Sequence, residues 1–589
     1  MSETIDTLEQ AEAALAAGAL DRVAQFTRQR LAMNPDDLDA LLLAGDAANE
    51  MSRFVEAGEM FTRVLRDRPD DVRALAGLSV AALGARDAAA ALRHAQRAYA
   101  LAPDDVNVLM ALGAAAISVR SQPAIDESFR RVQTLDHATG ASVLEYWTRC
   151  LTYLGRFGDA VQVYKSIIDA EPPSAERDAA YASYLLQAHH VDDAVTYVER
   201  SLAAKADNPS AHMTHARAKL ALGDIKGAVA AAREALKLNP DQTMPYTIIS
   251  ENAPDSITDE DIERLRAFID ASGGRPTISG IVAGRALGAT LETRGDFDGA
   301  FNAFATAAAM DAVAARGTGH GYDRGKAEHQ VDALIRAFPA HDLHEPHPDP
   351  DRGAGLIFVC GMPRSGTTLV DSILAAHSKV ESVGESRGMP IIDDLFKNAR
   401  PGASYNEIIE ANTAQWDKLY RDLLNGADQR AQFVVDKMPA NAWRIGLISR
   451  LYPGASILMM ERDPMDVCWS IFRNHFRLGS MYPILLEDLV HHYKCYERVR
   501  DHWIAARVPR LGVVQYDRLL DDFEAEVRAI LNHCGLAFEP ACLKFQETKR
   551  AVFTHSAAQV RQGINKNFRG RWRRYEAQLA DYNRMLHTR

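Results

Sequence analysis

Proline returns every 34 residues near the start of the chain, at Pro35, Pro69 and Pro103, and each is followed by Asp-Asp. A fixed period of this length does not arise from a single packed core. It is what a chain shows when each unit is one helix pair that buries its apolar face only against its neighbours. Other positions keep the register: Ala57 with Ala91, Gly45 with Ser79 and Gly113, Phe61 with Ala95 and Phe129, and, after a one-residue slip, Ala160 with Ala194 and Ala228. Small residues are needed where paired helices approach closely, and the aspartates after each proline suit a helix N-terminus. About seven helix pairs are expected between residues 5 and 250.

This pattern resembles the tetratricopeptide repeat, whose arrays bind extended peptides or partner domains and carry no chemistry of their own. A further helical stretch across residues 251–340, including Arg294-Gly-Asp-Phe-Asp-Gly-Ala300, reads as a degenerate repeat. Residues 341–354 hold His341, His344 and His347 among prolines and aspartates. That composition reads as a rigid polar linker more readily than as a metal site.

At 589 residues the chain is too long for one core. Its formal charge of −12 conceals an asymmetry, with roughly −17 before residue 355 and roughly +5 after it. The acidic half argues against a nucleic-acid partner. Basic residues gather near the C-terminus at Lys544, Lys549, Arg550, Arg561, Lys566, Arg569, Arg571, Arg573 and Arg574, a composition suited to a small polyanion or to a nucleic-acid backbone. Six cysteines lack CxxC spacing, so reduced thiols without structural zinc are expected. The first residues show no signal-peptide pattern and no stretch reads as membrane-spanning, which together imply a cytoplasmic protein without membrane partners.

The pattern changes at Gly355, where Leu-Ile-Phe-Val-Cys reads as a buried parallel strand and leads into Gly361-Met-Pro-Arg-Ser-Gly366 and an amphipathic helix. A strand, a glycine-bounded loop and a helix make an anion site, because loop N–H groups point inward beside the positive helix end. The two glycines match the Walker A spacing, yet Thr367 stands where a nucleotide triphosphatase carries lysine. Transfer of a γ-phosphoryl group needs that lysine and a magnesium ligand, so a kinase is disfavoured and no metal is called for. Arg364 supplies a cation from the loop itself.

Pro363-Arg-Ser-Gly-Thr-Thr368 resembles the 5′-phosphosulfate loop of sulfotransferases that use 3′-phosphoadenosine 5′-phosphosulfate (PAPS), and among them most resembles the protein-tyrosine sulfotransferases. The resemblance implies that Arg364, Ser365, Gly366, Thr367 and Thr368 hold the donor, with Arg364 also catalytic. It implies that Arg462 and Ser470 bind its 3′-phosphate and that Tyr516 lies near the adenine. It further implies that Glu385 is the base, that Arg387 contacts the acceptor, and that Lys437 and Ser556 face the leaving oxygen. Arg561 and Arg571, in a late loop, would hold phosphate. A second basic residue usual in the family falls at Asn474, and Arg473 or Arg477 would have to replace it. The expected architecture is an α-solenoid over residues 1–250, a helical extension over 251–340, the linker 341–354, and an α/β domain over 355–589 built on a P-loop-like parallel sheet sandwiched by helices. The expected reaction is sulfuryl transfer from PAPS to a hydroxyl, a protein tyrosine first, with a carbohydrate, lipid or small phenol as alternatives. A catalytically silent repeat scaffold is the reading from another class. The repeats are expected to engage a peptide or protein acceptor, and a homodimer remains open.

Overall fold

The computed structural model describes residues 2–588 apart from 120, 133, 135–136, 154–155, 318–320, 399–404, 425–426, 475–481 and 548–562. The chain forms two compact units, Met1–Ala188 and His189–Arg589.

In the first unit helices follow one another in pairs, such as Leu38–Glu50 with Phe54–Asp67 and Val72–Gly84 with Ala88–Leu101. The two aspartates after each repeat proline do different work. The second caps a helix: Asp37, Asp71 and Asp105 accept from the N–H groups of Ala40, Ala74 and Val108. The first pairs with an arginine of the following repeat, as Asp36 with Arg63 (3.1 Å), Asp70 with Arg97 (2.8 Å) and Asp104 with Arg131. These exposed pairs set register more than they stabilise. Phe61 is fully buried, and a Cβ at Gly45 or Gly77 would come within 2.7 or 2.4 Å of its ring. Replacing Asp71 by alanine removes a cap and should destabilise the first unit by about 1 kcal/mol, read as a lower urea midpoint at unchanged slope.

The second unit begins with Val191–Ala204 and further helices, among them Ile278–Thr293 and Phe297–Gly317, and ends in the sheet-containing region. Its strands are β1 (Leu356–Gly361), β2 (Val380–Gly384), β3 (Phe433–Lys437), β4 (Ser456–Glu461) and β5 (Leu511–Gln515). They pair in the order β2-β3-β1-β4-β5, all parallel. Every residue of β1 is buried, as the centre of a two-sided parallel sheet requires. Ile357 and Val359 enter one core with Val370 and Leu458. Phe358 and Cys360 enter another that runs without interruption from Ala228 and Tyr246, through Phe304, to Trp469 and Tyr575. Phe301 stacks on Trp469 at 6.0 Å and Phe304 meets it edge-on at 5.8 Å. The helix Phe297–Gly317 therefore shares its core with one face of the sheet.

In the 341–354 segment His344 bonds the carbonyl of Ala506 (2.6 Å), and His347 contacts the Arg352 guanidinium (2.9 Å). Among the described residues no group of three metal-ligating side chains converges, and no helix is long and apolar enough to cross a membrane.

Candidate active site

Every strand of the sheet delivers a candidate residue at its C-terminal end, the edge where parallel α/β sheets bind ligands. The segment after β1 turns through Gly361 (φ 144°) and Gly366 (φ 108°) before the helix Thr367–Ala375. Both glycines are required twice over, by backbone angle and by space. A Cβ at Gly361 would lie 2.8 Å from the Met460 carbonyl oxygen, and one at Gly366 would lie 2.6 Å from the Tyr516 ring. Ser365, buried, donates to the Met362 carbonyl at 2.6 Å and closes the turn. Thr367 and Thr368 are buried in the first helical turn.

Arg364 holds a left-handed φ of 68°, costly for a residue with a Cβ, and its surroundings fix it there. Arg462, just after β4, donates to the Arg364 carbonyl at 3.0 Å, and Arg364 Nε donates to Ser470 Oγ at 2.9 Å. Ser470 lies on the helix Pro464–Arg473, which opens with proline and is capped by Asp463. The Arg462 guanidinium lies 4.6 Å from the centroid of the Tyr516 ring, which packs between it and the loop. Arg473 and Arg571 complete a cavity lined also by Arg364 and Arg462. Burial, with Arg473 and Arg462 alongside, pushes the Arg364 guanidinium down to about 10. Like charges crowded this way favour an anion among them. The buried Nε donors of Arg462 and Arg473 find no acceptor among the described residues, which is what a site built to receive phosphate oxygens leaves open.

Two carboxylates hold this cluster in place. Asp466 lies 3.5 Å from Arg462 and accepts the N–H of Gly570 at 2.7 Å, drawing the late loop inward. Glu292, on the helix Ile278–Thr293, accepts from Arg571 at 3.1 and 2.7 Å and from Arg473 at 2.5 Å, with its side chain 1% exposed. Asn474 turns its amide back onto the Ser470 carbonyl (2.5 Å), so at this helix end it is Arg473 that lines the cavity.

On the other side of β1, Lys437 ends β3 opposite Val359. It is 1% exposed and donates to Glu385, which follows β2, at 2.5 Å. Asp436 beside it accepts from Tyr420 at 2.8 Å, and burial pushes its carboxyl up to about 7. A buried ammonium thus meets a half-exposed carboxylate beside the strand that bears the loop. Arg387 is exposed at the start of the helix Gly388–Lys397. Ser556, Arg561 and Arg477 lie outside the described residues.

Residues 357–540 match the sulfotransferase family model, and residues 42–106 and 180–243 match a tetratricopeptide repeat model. The chain carries a sulfotransferase-family domain. An uncharacterized protein of Aquifex aeolicus is 28% identical over 374 residues, 61% of this chain and 48% of that protein. A putative protein-tyrosine sulfotransferase of Caenorhabditis briggsae is 26% identical over 232 residues, 37% of this chain and 80% of that protein. Protein-tyrosine sulfotransferase 2 of Gallus gallus is 22% identical over 232 residues, 37% and 62% of the two chains. The match spans about half the length of the first of these relatives, 48%. Among solved structures, a sulfotransferase domain from the curacin biosynthetic pathway aligns with a TM-score of 0.28 at 19% identity, over 39% of this chain and 98% of that one.

The loop, Arg462, Ser470 and Tyr516, within the matched residues, and Arg571, beyond them, come together around one cavity, while Glu385 and Lys437 pair beside it. Two charged members of the cluster were not singled out from sequence. Asp466, one turn after Arg462, is buried against it. Glu292 precedes the loop by more than a helix pair, in a stretch that reads as a degenerate repeat. Its one signal is a glutamate that, with Arg285, interrupts a helix of small and apolar residues, Ile278-Ser-Gly-Ile-Val-Ala-Gly-Arg-Ala-Leu-Gly-Ala-Thr-Leu-Glu292.

Proposed function

We propose that the sulfotransferase-family domain transfers the sulfuryl group of PAPS to an acceptor hydroxyl, the favoured acceptor being a phenol such as a protein tyrosine. The observation that carries this reading is the convergence of Arg364, Arg462, Arg473 and Arg571 on a glycine-bounded loop that has threonine in place of the phosphate-loop lysine. Four guanidiniums suit a ligand with separate phosphate groups, each gripped by planar, charge-assisted hydrogen bonds.

In this reading the loop N–H groups and Arg364 hold the 5′-phosphosulfate, and Arg462, Ser470 and Arg473 hold the 3′-phosphate. The Tyr516 ring flanks the nucleoside. PAPS supplies an activated sulfuryl group and a phosphate leaving group. Glu385 takes the proton of the acceptor hydroxyl as its oxygen bonds to sulfur. The bond from sulfur to the phosphate oxygen breaks, its electron pair stays on that oxygen, and Lys437 meets the charge that develops there. Adenosine 3′,5′-bisphosphate and a sulfate ester are the products. Ser556 and Arg561, assigned by family resemblance, would close over the nucleotide. The repeats would present a peptide or protein acceptor, and a cytoplasmic location suits a PAPS-dependent enzyme.

Calorimetric titration with adenosine 3′,5′-bisphosphate tests the donor half. Wild type should bind it in preference to ATP with magnesium, and Arg364→Ala and Arg462→Ala should each weaken binding by about tenfold or more, the worth of a charge-assisted pair. No binding by wild type, or a preference for ATP, would overturn the reading.

A further inference from the structure

A second cavity lies between the helices Phe297–Gly317 and Arg324–Ala337 on one side and Gly388–Lys397 and Leu486–Ala505 on the other. It shares no lining residue with the arginine cavity. Ala315, Leu334, Phe396, Trp443, Leu447 and Ile484 give it apolar walls. Among the charged groups on its rim, Asp488 pairs with Arg324 (2.8 Å), and Asp393 with Arg444 (3.0 Å) and Lys397 (2.8 Å), while Arg316, Asp323, Lys326 and Asp394 also line it.

Polar groups line it too, the buried His492 among them. His492 is 6% exposed and its Nε2 has no hydrogen-bond partner among the described residues. Trp443 packs on its ring at 5.3 Å and Tyr482 meets it edge-on at 5.6 Å. Burial, with His491 adjacent, pushes its imidazole down to about 4, so at neutral pH it offers a hydrogen bond and no charge. A buried polar atom with no partner costs stability unless a ligand or water meets it.

The walls come from the segments that leave the proposed reaction centre. The helix Gly388–Lys397 starts just past Glu385, and the 3₁₀ turn Pro439–Arg444, which carries Trp443, starts just past Lys437. Tyr482, also on the wall, has its phenol raised by burial and by the charge of Glu385.

We propose that this cavity takes the body of the acceptor, an apolar molecule carrying a hydroxyl, with a polar group on His492 Nε2 and the reactive oxygen toward Glu385. Its role as acceptor site rests on the sulfuryl-transfer reading; binding in the cavity does not.

2-Naphthol, apolar and with one hydroxyl, is the probe. Its fluorescence is titrated with the full chain, and adenosine 3′,5′-bisphosphate binding is measured on the same samples. Wild type should bind 2-naphthol. Ala315→Trp, which fills the cavity, should weaken it by about tenfold or more, and His492→Leu by about fivefold, the worth of one hydrogen bond. Both variants should keep wild-type affinity for the bisphosphate. If Ala315→Trp fails to fold, His492→Leu decides alone. Failure of wild type to bind 2-naphthol, or equal binding by the variants, would overturn the proposal. Loss of bisphosphate binding alone, in wild type, would count against sulfuryl transfer and leave the cavity reading to the naphthol data.

Discussion

Replacing Glu292 by alanine should destabilise the second unit by about 3–5 kcal/mol, the usual cost of stranding the partners of a buried charge. The carboxylate is almost wholly enclosed and holds two guanidiniums, Arg473 and Arg571, by three hydrogen bonds. Without it both stay in the core beside Arg364 and Arg462, with Asp466 and Glu251 left to oppose four positive charges. Glu292→Gln should fall between alanine and wild type, because its amide oxygen still accepts from one arginine. Urea unfolding followed by tryptophan fluorescence reports the change, since Trp469 lies in the same core. An alanine variant that unfolds within about 0.5 kcal/mol of wild type, the range of an ordinary surface substitution, would show that the pairings carry no weight.

Glu385→Gln should leave bisphosphate binding close to wild type and cut transfer by about 10²–10⁴-fold, the span general-base catalysis contributes. The glutamine keeps an oxygen for Lys437, so the buried ammonium retains a partner and the fold is spared. What disappears is the group able to take the acceptor proton. Release of adenosine 3′,5′-bisphosphate from PAPS, followed with a tyrosine peptide as acceptor, measures it. Transfer by the variant at the wild-type rate would remove Glu385 from the chemistry and return attention to Asp436, the carboxyl that burial pushes up to about 7.

What the sequence discloses and what it hides differ in a physically plain way. The repeat arm is legible because each helix pair solves the same local packing problem, so Gly45, Phe61 and the capping aspartates recur at a fixed interval. The phosphate loop is legible because a parallel strand, two glycines and a helix start must follow one another directly along the chain. Arg462 and Ser470 are singled out through the family resemblance, one just after a strand and the other two turns into the next helix. Glu292 is not. Its partners are remote in sequence, and a glutamate among small and apolar residues does not disclose which arginines will enclose it. The continuity of the core from Tyr246 to Tyr575 is hidden likewise. Helix faces that pack against a sheet and faces that pack against another helix carry the same apolar period.

Glu292 belongs to a helix rather than to the sheet region whose arginines it holds, and that has a thermodynamic corollary. If the cavity holds the donor as proposed, donor affinity and the seating of Ile278–Thr293 are terms in one free energy. Anything that shifts this helix, by binding to it or by straining it, changes how tightly the anion is held. The anion must in turn change the affinity for that agent by the same factor.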